Sequence, residues 1–193
     1  MSESLTQLAM RFRNELCEIE RTLKRATEGM KRAKQTGDDY YLDGVALNLH
    51  SFYSGTERIF ELIAANIDDI LPKGANWHQT LLEQMATEMT EVRPAVISDS
   101  VRLAFDEYRG FRHIVRNVYT YKFDSARIEK LTERAGPLFA EFRAELLAFA
   151  DFMESNEVEE EGNNDTHYSV NCKPTRDESE SFAESVQIKR KSL

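Results

Sequence analysis

At 193 residues, with 41% apolar and 31% charged side chains, the chain has room for one ordinary domain plus a tail, and no second large domain is expected. Its formal net charge of -9, from 25 Lys+Arg against 34 Asp+Glu, argues against a broad electrostatic platform for long duplex nucleic acid but leaves room for a small local basic site. No apolar run approaches the ~18 residues of a membrane helix. The opening MSESLTQLAMRFRNELCEIERTLKRA lacks the apolar stretch and cleavage site of a signal peptide, so a cytoplasmic protein with no membrane partner is expected.

The elements read as helices from the start. Leu5, Leu8, Phe12, Leu16, Ile19, Leu23, Ala26, Met30 and Ala33 recur at three- and four-residue intervals, one stripe of a long amphipathic helix that ends at the turn residues Thr36-Gly37-Asp38-Asp39. A second stripe runs Leu42, Val45, Leu49, Phe52, Thr56, Ile59 and Ile63, and Gly55 within it is expected to permit close helix approach. Pro72-Lys73-Gly74 breaks the chain, a short helix covers Asn76 to Glu88, and Arg93-Pro94 restricts the backbone again. Ser98 or Asp99 caps a helix with Val101, Phe105, Tyr108, Phe111, Val115 and Val118 inward. Asp124 or Ser125 opens the last helix, with Ile128, Leu131, Leu138, Phe142, Leu146 and Phe152 on its buried side and Gly136-Pro137 as the expected kink.

Four long helices with short connections specify an all-α fold, an antiparallel up-and-down four-helix bundle with the short helix as an accessory. The domain is expected over 1–153. From Glu154 to Leu193 only 9 of 40 residues are apolar and the net charge is -5, too little apolar surface to offset the entropy of ordering, so 154–193 reads as an acidic disordered tail.

One stretch concentrates unusual side chains, Tyr108-Arg109-Gly110-Phe111-Arg112-His113-Ile114-Val115-Arg116-Asn117-Val118-Tyr119. In a helix, Arg109, Arg112, His113 and Arg116 crowd one face at i, i+3, i+4 and i+7, and like charges so placed repel by a few tenths of a kcal/mol per pair. Either an anionic ligand or partner faces them, or Asp106, Glu107 or a neighbouring helix neutralises them. Elsewhere, Trp77-His78 reads as a packing and capping feature. His50 and His167 have no companions at metal spacing, and Cys17 and Cys172 show no Cys/His ligand pattern. With no phosphate-cradling glycine loop and no metal-ligand cluster, neither a metal nor a cofactor is expected.

In order along the chain, Phe52 to Phe60, Pro72-Lys73-Gly74, Trp77-His78, Leu81-Leu82, Arg93-Pro94 and Arg109 to Tyr119 resemble the HepT-like branch of the HEPN superfamily, over roughly Leu5 to Glu154. The resemblance implies a helical two-fold homodimer and a metal-independent endoribonuclease toxin acting on RNA. It also implies neutralisation by a nucleotidyltransferase antitoxin, in some members through adenylylation of a tyrosine. The family motif is an arginine, a polar residue directly after it, and a histidine four to six residues beyond the arginine, often followed by x-Tyr. Arg112 matches the arginine, His113 the polar residue and Tyr119 the modifiable tyrosine, but Asn117 stands where the histidine belongs. An amide does not titrate and cannot act as a general base. On this reading Arg112, His113 and Asn117 form the catalytic set with His113 as substitute base, and Arg109 and Arg116 bind the RNA phosphate. The competing reading is a catalytically silent HEPN module that binds RNA, a nucleotide or a protein through the same arginine face.

Overall fold

The computed structural model describes residues 4–117 and 119–161, omitting the side chains of 121 and 158–161. Five α-helices account for most of them: α1 Leu5–Thr36, α2 Tyr40–Asn66, α3 Trp77–Met85, α4 Asp99–Asn117 and α5 Ser125–Glu161, with a 3-10 turn over Thr120–Lys122. The fold is an all-α helical bundle. Among the described residues the only β pairing is an isolated bridge between Met89 and Arg93.

The long helices alternate in direction. Glu15 on α1 pairs with Arg58 late on α2, whereas the start of α1 meets Glu157 at the end of α5 and Lys34 near its end meets Glu129. Gly55 lets α1 and α2 approach, because a Cβ there would lie 2.6 Å from Ile19 Cγ1, well inside van der Waals contact. α1 begins with a capping box between Ser4 and Gln7 and ends at Gly37, whose φ of 69° closes the helix in the left-handed region. Ser98 Oγ accepts the Val101 N–H at the start of α4, and Asp124 accepts those of Ala126 and Arg127 at the start of α5, as the sequence suggests. α5 runs as one helix through Gly136-Pro137.

Two boundaries differ from expectation. α3 stops at Met85 instead of continuing to about Glu88: the Gln84 carbonyl that the Glu88 N–H would need accepts from Arg93 and from Thr87 N–H, and the Thr87 hydroxyl takes the Glu83 carbonyl. α5 runs past the expected domain end at Met153 to Glu161. Glu157 accepts the N–H groups of Leu5 and Thr6 and the Thr6 hydroxyl at 2.6–2.9 Å, an anion on the N-terminus of α1. Burial pushes the Glu157 carboxyl up, and the bonds from Thr6 and Leu5 outweigh it to hold the group below its ordinary value. The rest of the expected tail, 162–193, lies outside the described residues.

The core sets the rotation of α4 against α2. Phe105 packs edge-on to Phe60 and Phe142, and Tyr108 edge-on to Phe52, pairs that each contribute about 0.5–1.5 kcal/mol beyond burial. The Tyr108 hydroxyl donates to the Leu131 carbonyl at 2.7 Å, tying α4 to α5. One turn beyond Tyr108, this register turns Arg112 toward Glu57 of α2.

The link from α2 to α4 is held by a fully buried ion pair. Arg93 donates through Nε and Nη2 to Asp68, through Nη2 to the Gln84 carbonyl, and through Nη1 to those of Thr87 and Pro94, so all five donor directions are used. Gln84 Nε2 donates to Asp68 Oδ2 at 2.6 Å. Within this turn Glu91 takes a φ of 65°, a strain on the order of 1 kcal/mol that the surrounding bonds hold in place. The clamp fixes α3, and with it the position of His78 over α2 and α4.

Candidate functional site

Three helices bring one titratable cluster together. α2 supplies Glu57, a carboxylate whose side chain is only 4% exposed, and Tyr53 one turn before it. α3 supplies His78, whose ring packs 3.5 Å from that of Trp77. α4 supplies Arg112. His78 Nδ1 lies 2.6 Å from Glu57 Oε1, Arg112 Nη1 lies 2.9 Å from His78 Nε2, and Arg112 Nε lies 3.3 Å from Glu57 Oε2.

The protonation states follow from the donors. A guanidinium N–H can only donate, so His78 Nε2 accepts and the single proton of a neutral ring sits on Nδ1, facing Glu57. A carboxylate this close would ordinarily raise an imidazole. Here burial first, then the charges of Arg112, Arg116 and Arg109, prevail and hold His78 down at about 4, in accord with the neutral ring that the Arg112 contact requires. Burial pushes the Glu57 carboxyl up to about 7 against the opposing pull of Arg112 and of the nearby Tyr53 hydroxyl. Burial likewise pushes the Tyr53 phenol well above its ordinary range.

The cluster is close-set yet not saturated. Tyr53 Oη, Glu57 Oε1, His78 Nδ1 and Arg112 Nε are buried, and none completes a hydrogen bond of acceptable geometry within the described protein. The 2.6 Å approach of His78 to Glu57 is therefore oblique rather than an aligned bond, and the Tyr53 interaction with Glu57 is electrostatic more than directional. His50, one further step along α2, is half-buried and lowered by burial and then by Arg112 and Arg116, which puts it beside the same cations.

Residues 44–153 match the family model described as HepT-like protein, more than half of the chain. The chain belongs to the HepT-like family. The match begins early in α2 and ends in α5, so it contains the whole cluster and leaves α1 outside. Searches of curated proteins and of solved structures each return no match.

The motif residues of this HepT-like chain separate in space. Arg112 turns inward to Glu57 and His78, with its side chain 17% exposed. Arg109 pairs with Asp106 at 2.7 Å, and Arg116 is exposed near the end of α4. The crowded cations are thus partly neutralised, Arg109 within its own helix and Arg112 by a neighbouring one. His113, one residue and about 100° around the helix from Arg112, is exposed and pairs with Asn117. Asn117 Nδ2 donates back to the His113 carbonyl at 2.7 Å and lies 3.2 Å from its Nδ1. Tyr119 is 73% exposed, just beyond α4, on an extended residue before the 3-10 turn. Sequence reasoning missed Glu57 and read His78 as packing. The available signal was Glu57 itself, a carboxylate on the apolar stripe of α2 between Phe52-Tyr53 and Ile59-Phe60.

Proposed function

We propose that this chain is the toxin component of a toxin–antitoxin pair, an endoribonuclease that acts on RNA phosphodiesters with Arg112 as the principal phosphate ligand and Arg109 and Arg116 as auxiliary donors. The observation that carries the reading is the placement of Arg112, where α2, α3 and α4 meet. Its guanidinium touches an imidazole and a carboxylate there, and the fields of Arg109 and Arg116 reach the same imidazole. Planar paired donors suit the nonbridging oxygens of a phosphate and the charge that builds on them during attack by the 2'-hydroxyl. Arg112→Ala is expected to abolish RNA cleavage and growth arrest while circular dichroism stays helical, since Glu57, already high, can take up a proton when its cation is removed. Unchanged cleavage would remove Arg112 from the role.

The antitoxin is a nucleotidyltransferase. Attack of the Tyr119 phenol oxygen on the α-phosphorus of a nucleoside triphosphate, with its proton passing to a base of the transferase, forms the O–P bond and expels pyrophosphate, leaving a phosphodiester near the arginine-bearing end of α4. The exposure of Tyr119 supports this. Intact-mass and peptide mass spectrometry of the co-expressed complex test it, and an unmodified Tyr119 in a fully neutralised complex would leave steric masking instead. A homodimer, read by light scattering as twice the chain mass, would bring two such sites together.

A second reading, a silent module that binds RNA, a nucleotide or a protein by the same face, is favoured by Asn117, whose amide is turned back onto the His113 carbonyl. The two part on whether any group in the cluster titrates during turnover.

A further inference from the structure

RNA cleavage needs a group to take the 2'-hydroxyl proton; Asn117 is an amide turned back onto His113, His113 is exposed, and the imidazole that the Arg112 guanidinium meets is that of His78. We propose that His78 of α3 is the general base of this chain, with Glu57 as the positioning residue behind it and Arg112 as the phosphate ligand that covers the base between substrates. The proposal rests on the RNA-cleaving reading above and assigns its missing catalytic residue, which lies 34 positions before Arg112 and outside the family motif.

Three observations carry it. The first is connectivity. Glu57 stands behind Nδ1, and Nε2 presents its lone pair to a guanidinium at 2.9 Å, so a carboxylate, an imidazole and a cation follow one another in the order that a base, its orienting group and a phosphate ligand require. The second is the set of open valences. Tyr53, Glu57, His78 and Arg112 all carry buried polar atoms without a hydrogen bond, whereas the buried Arg93 in the same fold uses every donor it has. A purely structural network is expected to be saturated. The third is the field. The charges of Arg112, Arg116 and Arg109 of α4 act on the ring, Tyr53 and Glu61 of α2 act on Glu57, and His50 feels Arg112 and Arg116, so an anion is drawn to the Arg112 side of Nε2 while Glu57 lies at Nδ1.

The step balances on the imidazole alone. The RNA phosphate draws Arg112 off Nε2 onto its nonbridging oxygens. Nε2 then takes the 2'-hydroxyl proton as O2' bonds to phosphorus, the P–O5' bond breaks, and the same proton passes from Nε2 to O5'. The products are a 2',3'-cyclic phosphate and a 5'-hydroxyl, and the ring returns to its starting state. Glu57 stays beside Nδ1 throughout and stabilises the transient imidazolium by its charge. A ring held at about 4 is a weak base by itself, and Glu57, once ionised above about 7, strengthens it by favouring the imidazolium from the Nδ1 side.

The test uses the purified full-length protein with total cellular RNA as probe, mapping product ends and measuring rates for wild type, His78→Ala, Glu57→Gln, Arg112→Ala and His113→Ala. His78→Ala is expected to lose about 10²–10⁴-fold in rate, to recover part of it when imidazole is added, and to leave cyclic-phosphate ends on what is cut. His78→Asn, which keeps a donor toward Glu57, is the variant to use if the alanine form does not fold, and the same loss is expected. Glu57→Gln should remove the acid limb of the rate–pH profile near pH 7. Full cleavage by His78→Ala together with loss in His113→Ala would overturn the proposal and leave the ribonuclease reading standing. Loss in His78→Ala without rescue and with a lowered Tm would mark a structural histidine and overturn it too. No cleavage or growth arrest by wild type would overturn the ribonuclease reading and the proposal with it.

Discussion

Two arginines in this bundle are used in opposite ways. Arg93 and Asp68 are both fully buried, every guanidinium donor has an acceptor, and Asp68 gains a further bond from Gln84. Glu57 is nearly as buried and Arg112 is half-buried, yet their contacts with His78 leave polar atoms on all three residues, and on Tyr53, without an aligned partner. In a low-dielectric interior a saturated network fixes geometry, whereas an open one keeps interaction energy available to something else. The first holds the α2–α3–α4 connection, and the second sits where that connection delivers His78. Burial of a charge alone does not separate the two networks; the hydrogen-bond accounting does.

The largest expected effect tests that contrast directly. Asp68→Ala leaves a buried guanidinium without its counter-charge and is expected to cost about 3–5 kcal/mol in urea denaturation. Glu57→Gln, at a carboxyl already raised toward neutrality, should cost no more than about 1 kcal/mol. Equal losses would erase the distinction.

Next in size is a pair of opposing pH dependences. Glu57 is raised in the folded state to about 7 from about 4.5, so its contribution is present in full below the ordinary carboxyl range and is lost as pH rises through about 7. His78 is lowered to about 4 from about 6.5, so its contribution is present above the ordinary imidazole value and is lost as pH falls through about 4. Between about 4.5 and 6.5 the two slopes, each at most about 1.4 kcal/mol per pH unit, oppose each other in wild type. Glu57→Gln should therefore gain stability with rising pH relative to wild type, and His78→Asn should lose it, in denaturation curves taken across that interval. Parallel curves for the three proteins would show that neither group is shifted.

The smallest effect sharpens the other side. Gln84→Ala removes one of the bonds to Asp68 and is expected to cost about 1 kcal/mol, read as a shift in the urea midpoint with little change in slope. A loss as large as that of Asp68→Ala would mean that the clamp depends on the amide more than on the ion pair.

The helices were legible because their apolar spacing is strong. Most of the stripes of α1, α2, α4 and α5 reappear as buried residues from Leu8 to Met153, while Phe152, expected inward, is exposed, Leu5, Leu42 and Val115 are half-buried and Val118 lies outside the described residues; Ser98, Asp124 and Gly37 mark ends that local chemistry dictates. The end of α3 was not legible, since it depends on Arg93 taking carbonyls from a distant turn. Nor was the continuation of α5, whose Glu157 is held by the other end of the chain. The site divides in the same way. Arg112 stands out as part of a motif, but periodicity says only which side of α4 it is on. That Glu57 and His78 meet it is a tertiary fact, set by the Phe105 and Tyr108 packing and by the Arg93 clamp. His113 and Asn117 entered through the motif that the resemblance implies, and in the fold they pair with each other at the exposed end of α4.

One measurement bears most directly on the difference between the two arginine networks: RNA cleavage and urea stability determined on the same preparation of His78→Asn. The account predicts a rate at least about 10²-fold below wild type with stability at neutral pH within about 1 kcal/mol of it. A wild-type rate, or a rate loss that merely tracks a collapse in stability, would contradict it.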